Sequence, residues 1–286
     1  MSNNAKGLGI TSLGVFIMSL ESLFIKFTTI DSITFSFYLG IFMFISMSVT
    51  LLLKQKDVIK DIKNNSFSIL ILCALLMGSS NIFFISAIKS TTVANVVLIF
   101  GTSALFSSFF AYLLYKEKVS INIIIASFFM FIGLFIIFND SLGIGNMLGN
   151  IYALLCTSTF SLAFVLLAKY SQISRVGLTA LTGIFISIIA FFLTDSISID
   201  INNFLIIAIM GLLITPISRV LIGNGTKYIS ASEVSLLMII ETIMAPIWVW
   251  IFLNEIPAEN TFLGGSIIVF TLILNSIYTL RKKENK

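Results

Sequence analysis

The stretch Val234–Leu253 reads VSLLMIIETIMAPIWVWIFL and is apolar over the roughly 20 residues that an α-helix needs to cross about 30 Å of hydrocarbon. A second stretch of this kind, Phe204–Gly223, reads FLIIAIMGLLITPISRVLIG. The first contains Glu241 and the second contains Arg219. A charge near the bilayer centre costs roughly 3 kcal/mol, so such a residue is usually kept for pairing or for function. The two stretches therefore predict membrane helices whose charged residues serve in ion pairing or in function.

The composition of the whole chain agrees with this prediction. Of its 286 residues, 58% are hydrophobic and 10% are charged, whereas a soluble domain carries about 25% charged residues. The apolar runs are continuous rather than alternating, which favours an all-α integral membrane protein over a β-barrel. The chain has no His, so His-ligated metal sites and His proton relays are excluded. We predict no cofactor, no metal, no disulfide and no nucleic-acid partner.

The apolar runs predict ten transmembrane helices joined by short polar loops. We place the spans at residues 7–28, 32–53, 68–90, 93–115, 119–138, 149–170, 176–194, 203–225, 231–253 and 259–280. Loop charge sets their orientation, because cytoplasmic loops are enriched in Lys and Arg. With the N-terminus inside, the inner segments carry Lys6, Lys54, Lys56, Lys60, Lys63, Lys116, Lys118, Lys169, Arg175, Lys227, Arg281, Lys282, Lys283 and Lys286. The outer segments carry only Lys26 and Lys89, which predicts a multi-pass protein of the cell (inner) membrane with both termini cytoplasmic.

A repeat divides the chain. Lys89 and Lys227 lie 138 residues apart, and so do Glu117 and Glu255. We predict two halves, residues 1–140 and 141–286, with five helices each. Because five is odd, the halves insert with opposite orientation, as in the inverted repeats of many secondary transporters. Chance similarity among apolar runs is the alternative.

The residues of this repeat resemble a known family. The stretch Lys227–Leu274 reads KYISASEVSLLMIIETIMAPIWVWIFLNEIPAENTFLGGSIIVFTLIL and resembles the second EamA repeat of the drug/metabolite transporter superfamily. Glu241 and Glu255 fall on that repeat's two glutamates. The stretch Lys89–Ile137 resembles the first copy of the repeat, with Glu117 as its closing glutamate. The resemblance implies ten helices and the export or exchange of small metabolites.

Two further features bear on the resemblance. Lys26 and Lys169 fit the basic residue that ends the first span of each repeat. The family often has Pro directly after the mid-span Glu, whereas this chain has Thr242 there and Pro246 later. The position of the kink is therefore open.

Arg219 is the first candidate binding residue. In a regular antiparallel hairpin it is level with Leu237, so it can reach Glu233 or Glu241, each about 6 Å away along the helix. One interpretation is a structural Arg–Glu pair between the eighth and ninth spans. The other is a guanidinium that binds a substrate carboxylate or phosphate through its planar fork.

The remaining candidates line the same region. Glu241 is either the partner of Arg219 or a carboxylate that binds a proton or a cationic substrate group. Glu21 on the first span either couples protons and lines a cavity or meets Ser79, Ser80 or Asn81 on the third span. Glu233 fits a capping box that begins at Ser230.

Aromatic and proline residues add to the ninth span. Trp248 and Trp250 fit an interfacial belt, and Trp248 is also a candidate for stacking on a substrate. Pro216 and Pro246 each free a carbonyl, which a neighbour or a wet cavity must satisfy.

The leading hypothesis is a secondary transporter of a small polar organic metabolite, such as an amino acid or a related compound. Its partners are the lipid bilayer, the small-molecule substrate and, as candidate coupling ions, protons. No Walker motif is present, so the drive is a gradient or substrate exchange. A membrane enzyme, for example one acting on lipid, and a non-transporting membrane scaffold are the alternatives. No catalytic residue is predicted, since the chain has no His and no paired carboxylates at an interface.

Overall fold

The computed structural model describes residues 3–54, 67–116, 121–144, 147–170, 173–225, 228–229 and 237–284. All regular secondary structure in these ranges is helical. The helices are α1 (Asn3–Met18), α2 (Glu21–Phe27), α3 (Ser32–Lys54), α4 (Phe67–Ser90), α5 (Val93–Gly101), α6 (Ser103–Tyr115), α7 (Ile121–Ile144), α8 (Met147–Lys169), α9 (Arg175–Leu193), α10 (Ile201–Ile209), a π-helical turn (Met210–Ile214), α11 (Thr215–Gly225), α12 (Ile239–Leu253) and α13 (Glu259–Glu284).

Eight helical stretches in the described ranges are long and apolar enough to cross a membrane. They are Ala5–Phe27, Ser32–Leu52, Phe67–Ser90, Val93–Tyr115, Ile121–Phe138, Met147–Lys169, Arg175–Leu193 and Ile201–Ile222. Two shorter apolar helices, Ile239–Leu253 and Glu259–Asn275, lie where the ninth and tenth spans are predicted. The prediction of an all-helical, multi-pass membrane protein is therefore confirmed.

Three of these stretches depart from a regular α-helix within the span that the sequence predicts. The first is interrupted at Ser19 and Leu20, and the fourth at Thr102. At both places a hydroxyl competes for a backbone carbonyl: Ser19 Oγ donates to the Phe16 carbonyl at 2.6 Å, and Thr102 Oγ1 donates to the Ile99 carbonyl at 2.6 Å. Such side-chain bonds weaken the regular helical ladder.

The eighth predicted span contains the third interruption. Its π-helical turn ends two residues before Pro216, which has no N–H to donate to the preceding turn. The carbonyl four residues before this proline, that of Leu212, accepts a bond from Ser46 Oγ of α3 at 2.9 Å. The expectation that a neighbour satisfies the freed carbonyl is confirmed here.

At two antiparallel helix crossings, a pair of glycines lets the two helix backbones come into close contact. A Cβ on Gly40 of α3 would lie 2.6 Å from the carbonyl oxygen of Gly183 on α9. A Cβ on Gly133 of α7 would lie 2.7 Å from the carbonyl oxygen of Gly264 on α13. No side chain fits at these points, so the glycines fix the α3–α9 and α7–α13 contacts.

Two more antiparallel pairs complete the framework. Helix α1 packs along α11, with Gly7 against Tyr228 and Gly14 against Leu221. Helix α4 packs along α8. Helix α12 lies against α1, α2 and α5. This arrangement brings the interrupted first span, the π-containing eighth span and α12 together in the interior.

Candidate functional site

The interior contains an ion pair between the first and eighth spans. Glu21 is the first residue of α2, and its Oε2 lies 3.9 Å from Arg219 Nη2 on α11. The Glu21 side chain is 7% exposed and that of Arg219 is 31% exposed. The direct ion pair of Arg219 is thus with Glu21 rather than with Glu241, which was one of the two partners that the sequence allows. Helix α1 packs along α11, far along the chain, and brings Glu21 to the guanidinium.

The Glu21 carboxylate is incompletely satisfied. Its Oε1 is buried with no hydrogen-bond partner. The hydroxyls of Thr215 and Ser218 on α11 lie close enough to this carboxylate to act as donors, but neither makes a well-formed hydrogen bond to Oε1, and Ser218 Oγ donates to the Thr215 carbonyl at 2.9 Å. Buried polar atoms are nearly always bonded, so an exception in a native protein points to a bound group or to water.

Glu241 joins this pair. It is buried on α12, within electrostatic range of both Glu21 and Arg219. Two carboxylates thus face one guanidinium, and the sum is a charge of −1 when all three groups are ionised. We call Glu21, Arg219 and Glu241 the central cluster. Glu233, the other predicted partner of Arg219, lies outside the described residues.

Ser80 approaches the cluster through another residue. Its Oγ lies 3.1 Å from the Cys156 carbonyl oxygen and 3.4 Å from Cys156 Sγ on α8. Cys156 in turn lies within electrostatic range of Glu241 and Arg219. Asn81 donates to the Met77 carbonyl of its own helix at 2.8 Å. Neither Ser80 nor Asn81 bonds to Glu21, because both side chains are turned to other acceptors. The other role predicted for Glu21, in lining a cavity and coupling protons, stays a prediction.

Trp248 holds the interruption of the first span. Its Nε1 donates to Ser19 Oγ at 2.9 Å, and its ring meets Phe16 edge to face with centroids 5.5 Å apart. This places the indole next to the start of α2 rather than in a lipid-facing belt. Trp250 is exposed on the same helix and fits the belt interpretation.

The sequence reasoning missed a second polar contact between the same helices. Lys26 Nζ lies 2.8 Å from Glu255 Oε2, and Lys26 also donates to the Thr91 carbonyl at 3.0 Å. The other carboxylate oxygen of Glu255 accepts from the Val93 N–H at 2.7 Å. Ser19 and Lys26 are seven residues apart, and so are their partners Trp248 and Glu255, of which Glu255 lies just beyond the end of α12.

We call the end of the molecule that carries the Lys26–Glu255 pair its outer end, following the orientation predicted from the loop charges. Lys89 Nζ donates there to the Thr28 carbonyl at 2.8 Å. Asp31 Oδ1 accepts from the N–H groups of Ile33 and Thr34, each at 2.9 Å, and so caps α3. Partial burial raises the pKa of Asp31, but the hydrogen bonds from Thr34 and Ile33 outweigh it and hold the pKa below its ordinary value.

In the ranges that the structure describes, no group of three or more Cys, Asp or Glu side chains is placed to hold a metal ion. The chemistry of the central cluster is that of charge pairing and hydrogen bonding. It can bind a small ionic group, exchange one counter-ion for another, and hold a proton.

A family model described as the EamA-like transporter family matches the chain twice, at residues 5–139 and 143–277. The chain therefore belongs to the EamA-like transporter family. A relative from Clostridium kluyveri, described as an uncharacterized transporter, is 27% identical over 248 residues, which cover 79% of each chain. Bacillus subtilis YdfC, also described as an uncharacterized transporter, is 28% identical over 193 residues, covering 63% of this chain and 61% of its own.

A third relative and a solved structure agree. An uncharacterized transporter of Synechocystis is 24% identical over 222 residues, covering 70% of this chain and 62% of its own. A solved structure, titled only as the crystal structure of a protein, superposes with a TM-score of 0.67 at 13% identity, over 96% of this chain and 98% of the other. This likeness shows a shared fold. Family and relatives together identify a multi-pass membrane transporter of small molecules.

Proposed function

We propose that this chain is a secondary transporter, an exporter or exchanger, that moves a small polar organic metabolite bearing both an amino and a carboxylate group. An amino acid or a related compound has this chemistry. The observation that carries the proposal is the convergence of Glu21, Arg219 and Glu241, from three different spans, in the interior of a membrane protein. Alternating access is the mechanism, because the cluster lies between elements of the two predicted halves.

The geometry of Arg219 supports a carboxylate ligand. Its contact with Glu21 is 3.9 Å long, and its side chain is less than fully buried, so the guanidinium retains donors for another acceptor. A planar guanidinium binds a carboxylate through two parallel hydrogen bonds. The contact between a substrate carboxylate and Arg219 would be shorter and stronger than the resident contact between Glu21 and Arg219.

The second carboxylate supports an amino group on the same substrate. The Glu241 side chain makes no ion pair in the described part of the chain, although it is buried. A substrate ammonium beside it would supply the missing cation. A zwitterion thus adds one charge of each sign, with its carboxylate on Arg219 and its ammonium group beside Glu241.

The charge balance of the central cluster also indicates where a proton would bind. Without substrate, one proton on either carboxylate makes the central cluster neutral. In the protein without substrate, Glu241 is our first choice as proton site, since Arg219 pairs with Glu21, and Glu21 is the second; the two share one titration when they interact strongly. Because Arg219 pairs with Glu21, a substrate carboxylate that captures Arg219 leaves Glu21 in need of a proton. Substrate and proton binding are therefore linked.

The same proposal includes ten spans in two inverted halves, residues 1–140 and 141–286, with both termini in the cytoplasm and the chain in the cell (inner) membrane. The observed antiparallel pairs support it. In numbered spans, they join the first to the eighth, the third to the sixth, the second to the seventh and the fifth to the tenth. Exchanging the two halves converts this set of pairs into itself, as an inverted repeat requires.

A thermal-shift screen on purified protein tests the substrate class. Each amino acid is compared with its decarboxylated amine and its deaminated acid. We expect stabilisation by the zwitterion alone, its loss in Arg219→Lys, and its retention in Arg175→Lys. Arg175 is a matched control, since among the described residues its Nη2 donates to the Leu167 carbonyl, at 3.3 Å, and forms no ion pair there. Equal stabilisation by the amine or the acid, or normal binding by Arg219→Lys, would contradict the proposal.

Counterflow in proteoliposomes then tests transport itself. We expect the stabilising zwitterion to exchange across the membrane in wild-type protein. A chain that binds the zwitterion but shows no counterflow would be a binding-only membrane protein, which is the scaffold alternative.

A further inference from the structure

Helix α2 carries both ion pairs found in the described part of the chain. It has seven residues, with Glu21 at its start and Lys26 in its last turn. The partners, Arg219 and Glu255, both belong to the second half of the sequence. The two ion pairs thus hold both ends of this short helix of the first half against the second half. We call Glu21–Arg219 the inner fastening of α2 and Lys26–Glu255 its outer fastening.

Interruptions set α2 apart from the helices on either side. Ser19 and Leu20 separate it from α1, and residues 28–31 separate it from α3. The helix pairs α3–α9 and α7–α13 are joined by apposed glycine backbones, whereas α2 combines its two ion pairs with the apolar contacts of Leu23 and Ile25, which are buried in the core. An ion pair near a membrane surface can exchange its partner for water at small cost. Because α2 is short, is interrupted on both sides and carries an ion pair at each end, it is a segment that can shift as a unit.

The outer fastening joins three helix ends. Lys26 of α2 binds Glu255, which follows α12, and Glu255 in turn accepts the Val93 N–H that begins α5. The paired side chains are only 21% and 23% exposed. Ser22, one turn further in along α2, is 2% exposed. Ser22 is therefore covered, and the Lys26–Glu255 pair lies one helical turn away from it toward the outer end.

We propose that the Lys26–Glu255 pair, with the Val93 N–H, is the outer gate of the transport path, and that α2 is the element that moves when the gate opens. The inner end of α2 links the gate to the central cluster. A ligand that takes Arg219 from Glu21 releases one of the two fastenings of α2 and so favours release of the other.

A cysteine reporter tests the gate without any substrate. Ser22→Cys is introduced into protein carrying Cys156→Ser, and a water-soluble maleimide is added to the protein in detergent. In Lys26→Gln and in Glu255→Gln we expect the reporter to react about tenfold faster than in the otherwise unchanged protein, because loss of the pair shifts the population toward the open gate. Native Cys73 is fully buried away from the gate, and its rate should stay constant.

Two variants serve as matched controls. Lys26→Arg keeps the charge and the pair, and Glu259→Gln removes an exposed acidic charge close by in sequence without touching the pair. Both should label at the rate of the reference protein. Unchanged labelling in Lys26→Gln would overturn the proposal. Faster reaction of Cys73 together with the reporter would also overturn it, since that pattern means general loosening.

If the Ser22→Cys protein does not fold, native Cys156 replaces it as the reporter in protein that keeps its own cysteines. Cys156 is buried and lies within electrostatic range of the central cluster. The same rates and the same controls apply. Because labelling needs no ligand, a failure here leaves the proposed substrate class untouched, and a failed ligand screen leaves the gate untouched.

Discussion

The two ends of α2 are held in different ways. At the outer end Lys26 and Glu255 are 2.8 Å apart, and both oxygens of Glu255 have partners. At the inner end Glu21 and Arg219 are 3.9 Å apart, and one oxygen of Glu21 is buried without a partner. A fully bonded pair can serve as a fastening, whereas an incompletely bonded buried pair leaves room for another group. The difference separates gate from binding site on one helix.

The largest difference should appear in stability. Arg219→Ala leaves two buried carboxylates without a cation, and we expect a loss of about 3 kcal/mol in the free energy of unfolding. Lys26→Gln acts on a pair whose carboxylate is less buried, 23% exposed against 7% for Glu21, and we expect a loss of about 1 kcal/mol. Reversible unfolding in mixed detergent micelles measures both.

The rescue variant sharpens this comparison. Adding Glu21→Gln to Arg219→Ala removes one of the unpaired carboxylates, so part of the lost stability should return. A larger loss for Lys26→Gln than for Arg219→Ala would reverse the assignment of the two ends.

The second prediction concerns coupling. If protons bind the central cluster, wild-type transport of the zwitterion should change up to about tenfold per pH unit over the titration range. Glu241→Gln should lose this dependence, because the amide cannot take up a proton, and should exchange the zwitterion more weakly, because the amide does not pair with its ammonium group. Transport is measured in proteoliposomes between pH 5 and about pH 9, the range in which buried carboxylates titrate.

Two other variants complete the test of coupling. Glu21→Gln shows whether the second candidate carries the proton instead, and Glu259→Gln should behave as the wild type. Normal pH dependence in both central variants would remove the proton from this site.

The third prediction concerns the junction before α2. Trp248→Phe keeps an aromatic ring against Phe16 but loses the bond to Ser19, so we expect a loss of about 1 kcal/mol in stability. Trp250→Phe is the matched control, since Trp250 is exposed and makes no comparable contact in the described structure. Equal effects of the two substitutions on the unfolding free energy would argue against a role for the Ser19 bond.

The smallest effect should come from Asp31, which caps α3 just beyond α2. Its pKa is lowered on folding, so its ionised form stabilises the protein above the unfolded pKa of about 4. This contribution is lost as pH falls through the folded pKa. Asp31→Ala should cost about 0.5–1 kcal/mol at neutral pH and less in acid.

The measurement is the melting temperature of Asp31→Ala relative to the wild type between pH 7 and about pH 3, a range that spans the unfolded pKa. The substitution Asp195→Asn changes an exposed acid in the described part of the chain and serves as the control. A difference between Asp31→Ala and wild type that grows in acid would contradict the capping role.

Much of the fold could be predicted from the sequence, because membrane helices need long apolar runs and those runs are visible one by one. The interruptions at Ser19 and Thr102 could not, since a hydroxyl bonds a local carbonyl only where the surroundings favour it. The sequence also identified Glu21, Arg219 and Glu241 as the unusual charges.

Their pairing was beyond the sequence. The hairpin reasoning assumed that partners lie on adjacent spans, but α1 packs on α11, far along the chain. The Lys26–Glu255 pair was missed for the same reason, although both residues had been noted within the repeat. Contacts between distant spans depend on how glycine-lined faces fit together, and apolar composition does not specify that fit.

Mapping protonated carboxyl groups tests the central claim most directly. The apolar reagent dicyclohexylcarbodiimide modifies carboxylic acids in their protonated form, and peptide mass spectrometry locates the product. We expect modification of Glu241 or Glu21, suppressed by the zwitterion found in the screen, and none at the fully bonded Glu255. Modification confined to Glu255, or central labelling that the zwitterion does not reduce, would contradict a shared site for substrate and proton at the central cluster.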